Sequence, residues 1–166
     1  MRLGHTNWTY CEDWNTLTEE SMGPLKPEEA QARHASGELY TAVARPAETS
    51  APELRVHIRL ETGYAAVVFM DGYGRTSFEY TFTILNGALF LETVTFYDYG
   101  DSTERGGYAD SERMESYDFN PDGIVVQEIE IGDDVSSESR RGIDMSSNWE
   151  PIPPFGAYDS LIQRQR

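Results

Sequence analysis

Two carboxylates stand among aromatic strand residues, Glu92 in LFLETVTFY and Glu115 in SERMESYDF. A carboxyl group enclosed by apolar side chains has a raised pKa and can move protons near neutrality. Tyr80 and Tyr117 supply hydroxyl groups in the same segments, and Arg113 and Gln127 supply further polar groups. Whether Glu92 and Glu115 reach an enclosed environment depends on two turns.

The stretch Thr76–Tyr97 reads as two long strands joined at Asn86-Gly87. Two registers are open. A two-residue loop pairs Leu85 with Ala88 and sets Phe82 opposite Leu91, which mixes apolar and polar residues on both faces. A three-residue loop pairs Ile84 with Ala88 and Phe82 with Phe90, with Gly87 left-handed. It gathers Phe78, Tyr80, Phe82, Ile84, Phe90, Val94 and Phe96 on one face and sets Glu92 opposite Tyr80. A one-residue slip reverses the sidedness of a strand, so the cleaner pattern favours the three-residue loop.

The turn Asn120-Pro121-Asp122-Gly123, treated likewise, pairs Phe119 with Val125, Tyr117 with Gln127, Glu115 with Ile129 and Arg113 with Ile131. The expected ligand wall is therefore Phe78, Tyr80, Phe82, Phe90, Val94, Phe96, Arg113, Tyr117 and Gln127, with Glu92 and Glu115 as catalytic carboxylates. A purely structural account competes with it. Glu92 would then sit at a rim or be turned outward by a bulge, and Arg113 and Glu115 would be an exposed pair on an edge strand.

The elements that must position these residues form one domain. Residues 1–37 are a lead segment and a helix, 38–146 are antiparallel strands, and 147–166 are a tail. Trp8, Tyr10 and Trp14 would lid a pocket or, the preferred reading, pack on a barrel end. Asn15 or Thr16 could start a short helix through Met22, stopped at Gly23-Pro24. KPEEAQARHAS, residues 26–36, predicts a surface helix, with Pro27 in the first turn and Gly37 at the stop. Residues 38–44 read as a strand and 45–52 as a Pro-rich loop. ELRVHIRL, residues 53–60, alternates without error, with Leu54, Val56, Ile58 and Leu60 on one face and Glu53, Arg55, His57 and Arg59 on the other. His57 then reads as a solvent-facing residue. YAAVVFM, residues 64–70, is apolar on both faces, as in a central strand. Asp71–Arg75 is turn chemistry. Asp98–Asp110 is a long loop, and long loops often carry function. A last strand is expected within 137–145, then a short amphipathic helical turn around Tyr158, Leu161 and Ile162.

This succession predicts a mostly β, single-domain antiparallel meander that closes into a barrel or half-barrel of calycin or lipocalin-like type, because closure removes open edges.

The formal charge of −16 and pI of about 4.4 argue against nucleic acid and against anionic membrane surfaces. A basic protein partner is favoured by charge. Cys11 is the only cysteine, and His5, His34 and His57 are scattered, so neither a disulfide nor a metal site is indicated. Asp98, Asp101, Ser102 and Glu104 lack the calcium-loop spacing. No cofactor motif is found. With no apolar leader visible, a cytoplasmic location is expected.

GRTSFEYTFT, LFLETVTFY, FNPDG and SSNWEPIPPFGAYDSL, in that order, resemble small β proteins of high-GC bacteria, which implies a bacterial origin. The barrel-with-cavity arrangement is similar to that of lipocalin-like binders and barrel cyclases, a likeness of fold alone. The leading expectation is an apolar or aromatic small-molecule binder, extended to an isomerase or cyclase that uses a cavity carboxylate and no cofactor. The alternative is a non-catalytic acidic interaction module, an inhibitor or immunity-type protein, built on Glu128, Glu130, Asp133, Asp134 and Glu138. Composition and spacing leave open whether the chain is an enzyme.

Overall fold

A computed structural model describes residues 7–45 and 54–164. His5, Glu53 and all but Arg45 of the expected Pro-rich loop lie outside the described residues. The strands are β1 (Trp8–Asn15), β2 (Glu20–Leu25), β3 (Tyr40–Ala44), β4 (Leu54–Arg59), β5 (Tyr64–Met70), β6 (Thr76–Leu85), β7 (Ala88–Asp98), β8 (Arg113–Asn120), β9 (Ile124–Ile131), β10 (Asp134–Arg140) and β11 (Trp149–Glu150). Among the described residues one α-helix, α1 (Pro27–Ser36), is found, and it joins β2 to β3. Pro27 sits in its first turn, the Glu29 carboxylate accepts from the Lys26 N–H, and Gly37 at φ 85° ends it, as expected.

From β3 to β10 each strand pairs antiparallel with the next. The first hairpin then adds outside β3, in the order β2-β1-β3. The sheet is not closed into a barrel, which corrects the expectation of closure. Its two outer strands are blunted in other ways. β2 carries Gly23 and Pro24, and β10 carries Asp134, Glu138 and Arg140 with every residue exposed. Proline and charge protect an edge strand without closure.

Residues 15–22 are a turn and a strand, not the expected helix. The Asn15 side chain accepts the N–H groups of Leu17 and Thr18, so it closes a turn rather than capping a helix. The last long strand begins at Asp134, earlier than expected.

The β6–β7 hairpin takes the register that the sequence disfavoured. Asn86 and Gly87 both have positive φ, 52° and 79°, and Leu85 pairs with Ala88. This is the two-residue turn whose twist matches a hairpin. The pairing then shifts, with Phe82 opposite Leu91 but Thr81 opposite Thr93. Glu92 is the extra residue of a bulge. The bulge puts Phe78, Tyr80, Phe82 and Ile84 on one face with Leu89, Leu91, Val94 and Phe96, and it turns Phe90 to the other. The β8–β9 register is the expected one at all four pairs.

β7 is longer than the β8 segment that pairs with it. β8 covers Thr93–Asp98, and β11 pairs with Leu89 and Phe90. Between them the buried Asn148 side chain donates to the Leu91 carbonyl at 3.1 Å.

The core lies on one face of β3 to β7. Tyr40, Leu54, Val56, Ile58, Val67, Phe69, Tyr80, Phe82 and Leu91 are buried there, under Ala30 of α1 and under Tyr158, Leu161 and Ile162 of the tail. The tail makes one helical turn, with Ile162 N donating to the Tyr158 carbonyl at 3.2 Å. Deleting a buried Leu side chain typically costs about 2–5 kcal/mol. Leu161→Ala is therefore expected to lower the unfolding free energy in urea by that amount. A loss below about 1 kcal/mol would show that the tail is not part of this core.

Candidate functional site

The second face of the sheet carries polar groups on β4 and β6, and loops cover it there. Arg55 and His57 alternate with Leu54, Val56 and Ile58 on β4, so they project from the face opposite the core. Ala66 and Val68 flank them on β5 and Glu79 follows on β6, cross-strand to Val68. The β1–β2 loop folds over this face and inserts Glu19, a non-glycine residue at φ 52°.

Glu19 and Arg55 form a buried ion pair at 2.6 Å, with side chains only 1% and 2% exposed. The Glu19 carboxylate also accepts the Trp14 indole N–H at 2.8 Å, and the Arg55 guanidinium lies 4.9 Å over the Trp14 ring. Two buried charges are tolerable only when paired and hydrogen-bonded in this way. Arg55 Nε donates to His57 Nε2 at 3.2 Å. Nε2 therefore carries no proton, and the Nδ1–H donates to Thr41 Oγ1 at 2.9 Å. Burial, and after it the Arg55 charge, push the His57 pKa down to about 3.

A second loop closes the other side. The Arg75 guanidinium donates to the Ser102 carbonyl at 2.7 Å and lies 4.2 Å over the Tyr99 ring. Arg105 of the same loop donates to the Glu19 carbonyl at 3.0 Å. Gly107 is pressed against the first loop, where an added Cβ would stand 2.9 Å from the Thr16 carbonyl.

Between these elements lies a cleft of about 440 Å³. Arg55, His57 and Glu79 are on its floor strands, and Trp14, Tyr64, Tyr97 and Tyr108 are among its aromatic lining. Tyr97 OH donates to the half-buried Glu79 at 3.1 Å. Burial raises the Glu79 pKa above the ordinary carboxylate range, opposed by the Tyr97 hydrogen bond and by Arg55. Burial likewise raises the Tyr64 and Tyr97 phenols, which stay neutral at physiological pH.

The residues expected from sequence divide into three groups. Tyr80, Phe82 and Val94 are buried in the core, with Phe78 packed against it. Phe90 is buried on the opposite face, 4.9 Å from the Trp149 ring, and Phe96 is half exposed. Arg113, Glu115, Tyr117 and Gln127 do come together. Glu115 pairs with Arg113 at 2.8 Å and accepts from Tyr117 OH and from Gln127 Nε2. The Tyr117 hydrogen bond holds the Glu115 pKa below its ordinary value. This group lies on β8 and β9, away from the cleft lining, and Glu92 is exposed on its bulge. The structure does not bring Glu92 and Glu115 into one site.

Sequence reading missed Glu79, Tyr97 and the burial of Arg55 and His57. One signal was present. A strand apolar on both faces, YAAVVFM, must be covered on both faces, so the polar side of its neighbour β4 could not lie in open water. The chain matches no protein-family model, no curated protein and no solved structure.

His57 gives this site a pH signature. Its folded pKa lies below the unfolded value of about 6.5, so its contribution is complete above pH 6.5 and is lost as pH falls towards 3. Replacing it by Gln is expected to flatten the loss of stability over that interval in thermal melts. An unchanged acid profile would contradict the buried neutral imidazole. Glu79 acts with the opposite sign. Its folded pKa is raised, so ionising it in the cleft opposes folding as pH rises above the unfolded carboxylate value. Glu79→Gln is expected to raise the melting temperature at pH 7 and to leave it unchanged near pH 3.

Proposed function

We propose that the protein binds a small molecule in the cleft between the β1–β2 loop and the 98–112 loop. The observation that carries this reading is the Tyr97–Glu79 pair, a carboxyl group kept partly out of water beside aromatic rings. A concave site with aromatic lining and a few convergent polar groups is the usual form of a small-molecule pocket. The cleft volume of about 440 Å³ falls in the range typical of such sites. If the ligand is turned over, proton transfer falls to Glu79, the cleft carboxyl group whose environment raises its pKa. That would be the cofactor-free chemistry of an isomerase or cyclase, with Glu79 in the role that the sequence suggested for Glu92 and Glu115. The likeness to lipocalin-like binders would rest on an antiparallel meander sheet that offers one face to a small molecule. A cytoplasmic location belongs to the same proposal.

The test is a thermal-shift screen of small molecules against the full chain, followed by titration of the hits. Removing a hydrogen bond to a charged group costs about 1.5–3 kcal/mol, or about 10–100-fold in affinity. Glu79→Gln or Tyr97→Phe is expected to weaken a genuine hit by that factor while the protein stays folded. Hits indifferent to both substitutions would sink this site.

A second reading rests on the exposed β10 edge. Asp134 and Glu138 on that strand, with Asp133 in the preceding turn and Glu128 and Glu130 on β9, form an acidic border suited to a basic protein. Salt-sensitive capture of a basic protein, abolished by neutralising Asp133, Asp134 and Glu138, would favour it over the cleft.

A further inference from the structure

The charge of the cleft's ligand follows from which of the cleft's own charges are already neutralised, on the reading that the cleft is a binding site. Arg55 is a lining cation, but its charge is matched by Glu19 at 2.6 Å within the protein. His57 is neutral, and both of its ring nitrogens are engaged. Two lining carboxylates remain, Glu79 and Asp13, and both bear electrostatically on Tyr64. Among the described residues neither makes an ion pair. Beside them the Tyr97 and Tyr108 rings lie 5.9 Å apart at 49°. Aromatic faces attract cations through their quadrupole. The same cleft already shows this contact, with Arg55 stacked over Trp14.

We infer that the cleft takes a small organic cation, a protonated amine or quaternary ammonium with an apolar body, its charge set between Glu79 and the Tyr97–Tyr108 wall. An anion there would face two carboxylates that make no ion pair among the described residues, on a chain of formal charge −16. A neutral ligand would leave Glu79 with the burial that opposes its ionisation. A cation offsets that burial, so its binding favours the ionised carboxylate and displaces a proton.

The affinity is therefore expected to rise with pH. Among the described residues, the charged and titratable groups that line the cleft with Glu79 are Arg55 and His57 from β4, Tyr64 from β5, Tyr97 from β7, Tyr108 from the loop and Asp13 from β1. The Tyr64 and Tyr97 phenols, raised by burial, and Arg55 keep one charge state between pH 4 and 8, and His57 is neutral through most of that interval. Asp13 is exposed at the cleft's edge.

The experiment is an NMR titration of the full-length protein with three probes that share an aromatic body. These are benzyltrimethylammonium, benzyl alcohol and phenylacetate. The cation is expected to shift the Tyr64, Tyr97 and Tyr108 ring signals, more tightly at pH 8 than at pH 4, and to weaken about tenfold or more in Glu79→Gln. Weaker binding at high salt is expected as well. If benzyl alcohol or phenylacetate occupies the cleft as well as the cation does, the inference of a cation is overturned and the small-molecule reading stands. If the cation binds elsewhere, or with no dependence on Glu79 or pH, the inference is also overturned. If no probe perturbs these rings, both readings fall. Tyr97→Phe and Asp13→Asn carry the same test should Glu79→Gln fail to fold.

Discussion

The ion pair between Arg55 and Glu19 is the constraint on which the rest of the polar face depends. Neither charge can leave water alone, because an unpaired buried ion costs several kcal/mol. Glu19 must therefore reach in from the β1–β2 loop, and the loop accepts a positive φ at that residue to do so. Once it is there, its carboxylate orients Trp14, and Arg55 fixes the His57 tautomer. Arg105 then fastens the 98–112 loop to the Glu19 carbonyl. Two loops distant in sequence are joined over one sheet face by a single carboxylate residue, and the cleft is the space they leave.

The two faces of the sheet take different roles for a physical reason. The apolar face of β3 to β7 is filled by α1 and the tail, so its aromatic surface is used in packing. The opposite face carries polar groups that cannot be packed in the same way. Each needs a partner, and partners fixed in position leave gaps that side-chain packing does not fill. Glu79 is the carboxyl group of this face with a raised pKa, and among the described residues its side-chain hydrogen bond is to a tyrosine hydroxyl. Perturbed carboxyl groups of this kind concentrate at functional sites.

Much of the architecture was legible in the sequence. Alternation in residues 54–59, the helix between Pro27 and Gly37, and the four β8–β9 pairs all follow from local rules. The β6–β7 register was misread because a bulge leaves no trace in the alternation pattern. The shift at Glu92 restored apolar sidedness after a two-residue turn, an outcome that a single uniform register could not produce. The site was the least legible part. Arg55 and His57 look like solvent-facing strand residues until a loop from elsewhere in the chain covers them. Glu19 shows nothing in sequence to mark it as the residue that would do so. Long-range pairing of this kind is set by tertiary packing, not by the local pattern that strand and helix rules read.

A double-mutant cycle on Glu19 and Arg55, read by urea unfolding, tests this account most directly. Each of Glu19→Gln and Arg55→Gln is predicted to cost about 3–5 kcal/mol, because each leaves one buried charge unpaired. The double variant is predicted to cost less than the sum of the two by about 1–3 kcal/mol, since it leaves neither charge behind. Additivity within about 0.5 kcal/mol, the behaviour of independent sites, would contradict the account.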